Sequence, residues 1–508
     1  MKRWALLALL ALTACAAKPP VPTEAPVAQS GHLSLFVSAE LKGYLGPCGC
    51  SENMRGGIAR AAHQLEEARK KGPVLYLDTG DALFGEPQIG DAAVPQQERK
   101  AQAMAAALKA MGLSARARGP LDDARGEAFR RALALPELPA SGVQVLEGGK
   151  VAVVEGATGA DLAARAKSAR EGGAAFVVGL WRTAFDAALK DAPTLGDALD
   201  LVLAVKAKDE LSGEQNKLLR SGAVPLVQLQ TKGRSMLHLD LYFHGSGRFE
   251  LLRGADDVER ETAVLSQRIE LLRAQTNEPM ISDELKGMRQ QKLAELIARK
   301  EAVESAPVAT PEGKNAWTLR FVPLESSFAE DAKVKALVTA YDRDVGLLNL
   351  KWAKEHGKPC PAPSKTVKGY VGNKECFECH EETFASWNGS KHAQGLKTLE
   401  HVGKQHHLDC IGCHVTGWQQ PGGVCGVDQT AGREGVGCES CHGPGSEHLE
   451  DPDRANVLKG NTAEACLGCH DRENSPHFDF DRYMKEIIAP GHGQPAAKAP
   501  QPSGKKSG

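Results

Sequence analysis

The sequence predicts a multidomain protein: an α/β domain, then a charged helical hairpin, then a mostly α-helical and irregular region rich in cysteine and histidine. Short apolar runs alternate with helical stretches over 31–255, as in α/β domains. Residues 256–306 are dense in Glu, Lys, Arg and Gln, whereas 369–495 holds most of the cysteines. A chain of 508 residues is also longer than one hydrophobic core usually supports.

The N-terminus predicts export. Met1–Arg3 is basic, and Trp4–Leu12 is apolar but shorter than the roughly 20 residues that span a bilayer. The stretch that ends at Cys15 resembles a bacterial lipoprotein signal, in which residues 1–14 are removed and Cys15 is lipidated. An ordinary secretory signal with a chance cysteine is the alternative.

Residues 15–30 are rich in Ala and Pro, which predicts a flexible tether between the lipid and the first domain. The neutral Ala16 favours the outer membrane of a Gram-negative cell, so we expect the protein at a periplasmic membrane face. The formal net charge of −2 gives no indication of a nucleic-acid partner.

The α/β domain is predicted over 31–255. Helices are expected at 58–70 and 101–111, and buried strands at 33–37, 74–77, 151–154, 175–178 and 201–204. Alternation from Leu237 to Leu252 around a Gly-Ser-Gly turn predicts a β-hairpin, with His238 and His244 on its solvent face.

Apolar residues at helical spacing predict an antiparallel helical hairpin over 256–306, broken near Pro279. It is either a docking or oligomerisation arm or a solvated spacer. Residues 307–350 are expected to return to the α/β domain as a strand and an amphipathic helix. The proline-bearing segment 351–368 is predicted to be a linker, and 496–508 a disordered tail.

The pentapeptide C-x-x-C-H occurs four times in the last region. This spacing is typical of c-type haem attachment, in which two thiols bind the haem vinyl groups and the histidine ligates the iron. Tetrahedral zinc sites and disulfide frameworks fit the repeat poorly, because neither needs a histidine after every second cysteine. We therefore predict four covalent haems on Cys376, Cys379, Cys410, Cys413, Cys438, Cys441, Cys466 and Cys469, with His380, His414, His442 and His470 as proximal ligands.

Seven further histidines could occupy sixth iron positions: His392, His401, His406, His407, His448, His477 and His492. The segments around the four motifs, above all Val436–His448, resemble the tetrahaem cytochrome c family of hydroxylamine-oxidoreductase electron acceptors. The resemblance covers about 369–493. It implies closely packed haems, mostly with two histidine ligands, and points to His392, His448 and His492 as distal ligands; His407 is a weaker candidate.

The α/β domain resembles the 5′-nucleotidase branch of the calcineurin-like metallophosphoesterases, through Gly56–Arg60 and Val74–Gly85. The resemblance implies an α/β sandwich over about 31–252. It also implies a degenerate site. Asp81 matches one metal ligand, but Lys42 stands where the family has a histidine, and Gly119–Asp122 lacks the family's Asn and His. We therefore expect the fold to persist without phosphoesterase activity.

Five cysteines lie outside the haem motifs. Besides Cys15, a structural disulfide between Cys360 and Cys425 is expected in an oxidising compartment. Cys48 and Cys50 could form a structural disulfide, but a bridge across one residue is strained, so a redox pair or a set of soft-metal ligands is the alternative.

These features predict a lipid-anchored multihaem cytochrome that transfers electrons between extracytoplasmic redox proteins, with the α/β domain as scaffold or docking module. Two alternatives stay open. One is a haem enzyme acting on a small nitrogen or sulfur compound at an open iron. The other is a metal-dependent phosphoesterase fused to a cytochrome.

Overall fold

The computed structural model describes residues 31–47, 54–206, 215–219, 224–245, 247–276, 283–305, 313–458, 460, 462–471, 474–475 and 478–487. Five candidate site residues lie outside the described residues: Cys15, Cys48, Cys50, His477 and His492. Ala16, Pro279 and the segments 1–30 and 496–508 lie outside them as well. The predictions that concern them therefore remain predictions.

The N-terminal domain is built from twelve strands and six flanking helices in the described part of the chain. Its strands are β1 (His32–Ser38), β2 (Val74–Asp78), β3 (Ala115–Arg116), β4 (Val143–Leu146), β5 (Val151–Gly156), β6 (Phe176–Trp181), β7 (Leu201–Ala204), β8 (Lys217–Leu219), β9 (Leu226–Gln228), β10 (Ser235–Tyr242), β11 (Glu250–Leu251) and β12 (Ala316–Pro323). Its helices are α1 (Ile58–Arg69), α2 (Val94–Ala110), α3 (Glu127–Ala132), α4 (Gly159–Glu171), α5 (Phe185–Asp191) and, after the hairpin helices, α8 (Ala332–His356).

The strands form two mixed six-stranded sheets. The first has the order β11-β12-β10-β1-β2-β3, and the second β4-β5-β6-β7-β9-β8. The middle of the second sheet is parallel, with antiparallel strands β4 and β8 at its edges. Parallel strands need helical crossovers, which explains the strand–helix rhythm of the sequence.

The core lies between the two sheets. Alternate residues of the first sheet, such as Leu35, Leu237 and Leu239, meet Val153 and Val178 of the second, and all are almost fully buried. Burying each such side chain contributes about 1.5–3 kcal/mol. Residues from α1, α2 and α8 form a second cluster outside the first sheet. Those from α4 and α5 form a third outside the second sheet, so the predicted α/β sandwich is confirmed.

The predicted hairpin over 237–252 is wrong. Strand β10 pairs with β1 on one side and with β12 on the other, and among the described strands β11 pairs with β12 alone. The reason is length: β12 pairs with all eight residues of β10, whereas β11 has two residues. His238 is also not on a solvent face. It is 4 % exposed and stacks on Phe36, whereas His244 is exposed as expected.

The charged segment contains two helices, α6 (Ala255–Thr276) and α7 (Asp283–Ser305), which pack against each other. Leu265, Ile269 and Val303 are buried, whereas Val264 and Leu271 are more than half exposed. The helices thus have an apolar seam on one side and a mainly charged surface on the other.

The C-terminal region has short helices joined by turns. They are α9 (Asn373–Phe377), α10 (Glu381–Asn388), α11 (Gly395–His401), α12 (Leu408–His414), α13 (Cys438–His442), α14 (Ser446–Glu450), α15 (Ala463–Leu467) and α16 (Phe480–Ile487). A disulfide joins Cys360 to Cys425, as expected, with the two Cα atoms 5.2 Å apart. None of the helices in the described ranges is both long and apolar enough to cross a bilayer.

Candidate haem-binding site

Each C-x-x-C-H motif forms about one helical turn. The backbone N–H of His380 donates to the carbonyl of Cys376 at 2.9 Å, and that of His470 to the carbonyl of Cys466 at 2.8 Å. Residues four apart in a helix lie on the same face, so the turn places the first cysteine and the histidine side by side. This arrangement presents two thiols and one imidazole to a single group.

Three of the motif histidines are oriented through their Nδ1 atoms. Nδ1 of His414 lies 2.7 Å from the carbonyl of Gly395, and that of His442 lies 3.0 Å from the carbonyl of Leu458. Because a carbonyl only accepts, Nδ1 carries the hydrogen and Nε2 keeps its lone pair. Nδ1 of His470 lies 2.9 Å from the Ser475 hydroxyl, which orients the ring but can either donate or accept the hydrogen. Such contacts are typical of metal-ligating histidines, whose second nitrogen is held by the protein.

Two motif histidines face a second imidazole. The ring centres of His380 and His448 are 6.4 Å apart, with 20° between the planes. Those of His470 and His392 are 6.2 Å apart. Two metal–imidazole bonds of about 2 Å each, plus about 1 Å from each nitrogen to its ring centre, separate the centres by about 6 Å. The residues present therefore fit an iron held between two histidines at both places.

The two distal candidates have surroundings that suit this role. His448 Nδ1 lies 3.0 Å from the carbonyl of Asp453, which leaves its Nε2 for a metal. Burial, and then the neighbouring His470, lowers the pKa of His392. A lowered pKa favours the neutral imidazole, which is the form that binds iron. Of the three distal ligands implied by the resemblance, these are the two in the described residues.

The thiols of different motifs lie beside one another. The neighbouring Cys438 thiol, and then burial, raises the pKa of the Cys376 thiol. Cys413 affects the Cys469 thiol in the same way. Burial and the neighbouring Cys466 raise the pKa of Cys441. These neighbouring thiols suggest the order first, third, fourth, second for the motifs.

Glu439, between the two cysteines of the third motif, was not singled out from the sequence. It is 2 % exposed and accepts backbone N–H groups from Val371, Gly372 and Gly445 at 2.7–2.9 Å. A carboxylate that accepts several N–H groups is a strong, charge-assisted anchor. Glu439 therefore holds the segment before the first motif against the third. A charged residue inside an otherwise small-residue motif was the available signal.

The remaining histidines lie elsewhere. Nε2 of His407 lies 2.9 Å from the carbonyl of Asp342 on α8, and the side chain is 3 % exposed. Nδ1 of His406 lies 3.2 Å from the carbonyl of Val427. His401 is exposed at the end of α11. The structure therefore places His407 in a contact between regions rather than opposite a motif imidazole.

Asp81 lies at the carboxyl end of β2, where the resemblance predicts a vestigial metal site. Its Oδ1 accepts the Leu121 N–H at 2.7 Å, and its Oδ2 lies 4.0 Å from the Arg182 guanidinium. Nearby, Lys42 pairs with Glu40 at 3.2 Å. Burial raises the pKa of Asp81 to about 6. The side chains at this strand edge are thus paired with cations and backbone groups of the chain itself.

Asp122 serves the same loop as an internal anchor. It accepts the backbone N–H groups of Asp81, Ala82 and Gly119 at 2.9–3.0 Å, and it pairs with the buried Arg116. Within the described residues, no three His, Cys, Asp or Glu side chains are grouped so that they could hold a metal ion.

The loops here retain unusual backbone conformations. Glu40, Lys42 and Asp81 have φ of 43°, 49° and 54°, the left-handed region that few residues other than glycine adopt. A Cβ on Gly80, with φ of 95°, would meet the Gly119 nitrogen at 2.7 Å. The close approach of the loops therefore depends on this glycine.

Comparison with known proteins decides the family. The family model described as cytochrome c554 and c-prime matches residues 375–443. Cytochrome c-554 of Nitrosomonas europaea is 36 % identical over 173 residues, which cover 24 % of this chain and 74 % of that protein. The chain belongs to the cytochrome c-554 family. This cytochrome is accordingly a multihaem protein whose haem is bound covalently.

This cytochrome is also similar to two solved structures at low identity. One is described as a 5′-nucleotidase from Staphylococcus aureus, with a TM-score of 0.34, 13 % identity and coverage of 41 % of this chain. The other is the sulfate thiohydrolase SoxB of Thermus thermophilus, with a TM-score of 0.38, 13 % identity and coverage of 65 %. This chain spans 51 % and 62 % of their lengths, respectively.

Proposed function

We propose that this cytochrome is an electron carrier that binds four c-type haems and exchanges electrons with redox proteins outside the cytoplasm. The observation that carries the proposal is the pair of opposed imidazoles, His380 with His448 and His470 with His392, each beside a C-x-x-C motif. Iron with two histidine ligands has no open position for a substrate and is suited to electron transfer.

The proposed attachment sites are the eight motif cysteines, and the proposed proximal ligands are His380, His414, His442 and His470. His392 and His448 are the proposed distal ligands of the fourth and first haems. His492 remains a proposed distal ligand, outside the described residues. The haem supplies one-electron chemistry; the chain orients the imidazoles through Nδ1 contacts and surrounds them with protein.

The adjacency of the thiols supports a relay. Each cysteine binds a vinyl group at a haem edge, so neighbouring thiols of two motifs favour neighbouring haem edges. The contacts Cys376–Cys438, Cys441–Cys466 and Cys413–Cys469 give the proposed series first, third, fourth, second. The two ends of the series are the positions where external partners would exchange electrons.

We also propose that Cys15 carries the lipid, that 1–14 is a signal peptide, and that 15–30 is a tether at the periplasmic face of a bacterial membrane, the outer membrane being favoured. The proposed domain limits remain 31–255, 256–306, 307–350, 351–368, 369–495 and 496–508. We also propose that phosphoesterase activity is lost. The ion pairs Lys42–Glu40 and Arg182–Glu155 support this, because cations of the chain lie near the expected metal site.

A second candidate function is chemistry at an open haem iron. The observation that favours it concerns His414. Its Nδ1 is held by Gly395, but within the described residues no second ring is in contact with it. A haem with one protein ligand can bind a small nitrogen or sulfur compound at its sixth position.

The test is electron paramagnetic resonance on the haem-loaded full chain, with intact mass and metal analysis of the same sample. The expected result is four haems, predominantly low-spin, and no metal beyond haem iron. Fewer than four covalent haems would overturn the proposal. One high-spin haem that shifts with nitrite or hydroxylamine would favour the second candidate, and retained manganese or zinc would favour a phosphoesterase.

A further inference from the structure

The α/β domain contacts the C-terminal region that bears the four C-x-x-C-H motifs, here called the cytochrome region (369–487). The contact is buried and involves α2 and α8 of the α/β domain. Gln96 of α2 is fully buried and Asn349 of α8 is 3 % exposed. Asn349 Nδ2 donates to Gln96 Oε1 at 2.6 Å and to the carbonyl of His406 at 2.8 Å. The N–H of Leu408 donates to the same Gln96 oxygen at 3.0 Å. Two buried amides of one domain therefore bind the backbone just before the second haem motif.

Charged and aromatic groups surround this amide pair. His407 reaches the carbonyl of Asp342 at 2.9 Å, and the ring of Tyr341 meets the His407 ring edge-on. Lys404 pairs with the Asp342 carboxylate at 3.2 Å. All these contacts fall on one turn of α8 and on the residues immediately before α12.

An ion pair extends the contact to the motif itself. Lys100 of α2 lies 2.6 Å from Asp409, the residue before Cys410. Apolar side chains of α8 continue it: Leu350 and Ala353 pack in one cluster with Leu399, Ile411 and Val424 of the cytochrome region. The α/β domain therefore contacts α12, the helix that bears the second motif, through hydrogen bonds, an ion pair and apolar packing.

The first and third motifs make their described contacts differently. Glu439 and Asn373 join these two motifs to each other. The polar contacts from the α/β domain, in contrast, end on residues 404–409, and the apolar cluster adds Leu399, Ile411 and Val424 around the same helix. The second motif also stands at one end of the series of adjoining motifs. One end of that series is therefore held by the chain's own N-terminal domain.

We infer that the α/β domain docks on the second haem motif through Gln96, Asn349 and Lys100 and sets the environment of that haem alone. These three are positioning residues. Lys100 places a positive charge beside the motif, and a positive charge disfavours the ferric form of a nearby haem. The inference rests on the proposed haem binding, and it assigns the α/β domain a specific place on the relay.

The first test is a redox titration of the full haem-loaded protein at low ionic strength, where exposed charges are little screened. Lys100→Met is expected to lower the potential of the second haem and Asp409→Asn to raise it. We expect a threefold change in its reduction equilibrium, about 28 mV at 59 mV per tenfold for one electron. The reduction potentials of the other three haems should not change. Lys109→Met, on the same helix α2 and exposed, is the matched control.

The second haem is identified in the titration by His414→Met, because a methionine ligand raises the potential of the haem that carries it. Asn349→Leu provides an independent measurement. It removes the amide link, so Trp fluorescence, to which the buried Trp181 and Trp317 of the α/β domain contribute, and haem absorbance should report separate unfolding midpoints where the unaltered protein shows one. Asn315→Leu, another buried amide bonded within the α/β domain, should keep the midpoints together.

Four bound haems with unchanged potentials in both charge variants would overturn the inference and leave the proposed function standing. Equal shifts of all four haems would also overturn it. Fewer than four haems in the unaltered protein would instead refute the proposed function, and the haem count of each sample is measured before titration.

Discussion

The two main regions of this cytochrome treat their ionisable side chains in opposite ways. At the end of β2 the chain satisfies its own carboxylates. Asp122 accepts four backbone N–H groups and pairs with Arg116, and the Arg182 guanidinium lies 4.0 Å from the Asp81 carboxylate. In the cytochrome region, two pairs of imidazoles have their ring centres 6.2–6.4 Å apart, and His448 is held by the protein through Nδ1. Polar side chains that are already hydrogen-bonded within the protein are typical of a structural scaffold. Imidazoles that the protein holds through one nitrogen are typical of a site that binds a cofactor through the other.

The largest effect that would sharpen this comparison is loss of a haem. Replacing Cys438 and Cys441 together by Ala is expected to lower the intact mass by one haem, because both thioether bonds of the third motif are removed. Intact-mass spectrometry checks it. Replacing Cys360 and Cys425 together by Ser is the control, since these cysteines form the disulfide and should leave the haem count unchanged.

The next effect concerns spin state. His448→Ala is expected to convert the first haem from low-spin to high-spin, because the imidazole opposite His380 is lost. His392→Ala should do the same to the fourth haem, opposite His470. Electron paramagnetic resonance measures both. His401→Ala, at an exposed histidine, should leave the spectrum unchanged; a high-spin signal in that variant would contradict the assignment.

A smaller effect is expected at Glu439, which anchors the first motif to the third. Glu439→Gln keeps the shape but loses the charge, and it places an amide N–H₂ against backbone donors. We expect a loss of about 2–3 kcal/mol in unfolding free energy, since charged hydrogen bonds contribute about 1.5–3 kcal/mol. Urea unfolding followed by haem absorbance measures it. Glu450→Gln, which is exposed, should change stability by less than about 0.5 kcal/mol.

The smallest effect is expected at Asp81, and it depends on pH. Because burial raises its pKa to about 6, the native state binds a proton that the unfolded state releases, and stability falls as pH rises from about 4 to about 6. Asp81→Asn removes this loss and suits the left-handed backbone. At about 1.4 kcal/mol per pKa unit, a shift of about two units sets an upper limit of about 3 kcal/mol at pH 7. Solvent screening of the partly exposed carboxylate reduces the expected gain to about 1–2 kcal/mol.

The gain from Asp81→Asn should shrink strongly at about pH 4, where the native residue is protonated and the unfolded residue is about half protonated, and it should vanish at about pH 3. Urea unfolding followed by Trp fluorescence at pH 4 and pH 7 measures the difference. The exposed Asp186→Asn is the control and should be neutral at both pH values. If Asp81→Asn destabilises the protein at pH 7 and the unaltered protein binds a metal ion, the α/β domain also has a ligand-binding site. The proposed contrast between the two regions would then be wrong.

The sequence by itself determined the haem-attachment chemistry and the α/β class. C-x-x-C-H is a local signal, because one helical turn brings its cysteines and histidine together without help from the rest of the fold. The runs at 151–154 and 201–204 predicted buried strands because a strand covered on both faces is apolar throughout. Substitutions such as Lys42 at a metal-ligand position likewise needed no coordinates.

Only the tertiary structure decided the long-range pairings. The partner of β10 is β12, separated from it by the helical hairpin, and local alternation instead suggested β11. The opposition of His380 and His448, the anchor Glu439, and the amide link from Gln96 and Asn349 to the second motif join residues that are far apart in sequence. Their spacing carries no periodic signal, since such contacts depend on how whole elements pack rather than on any local repeat.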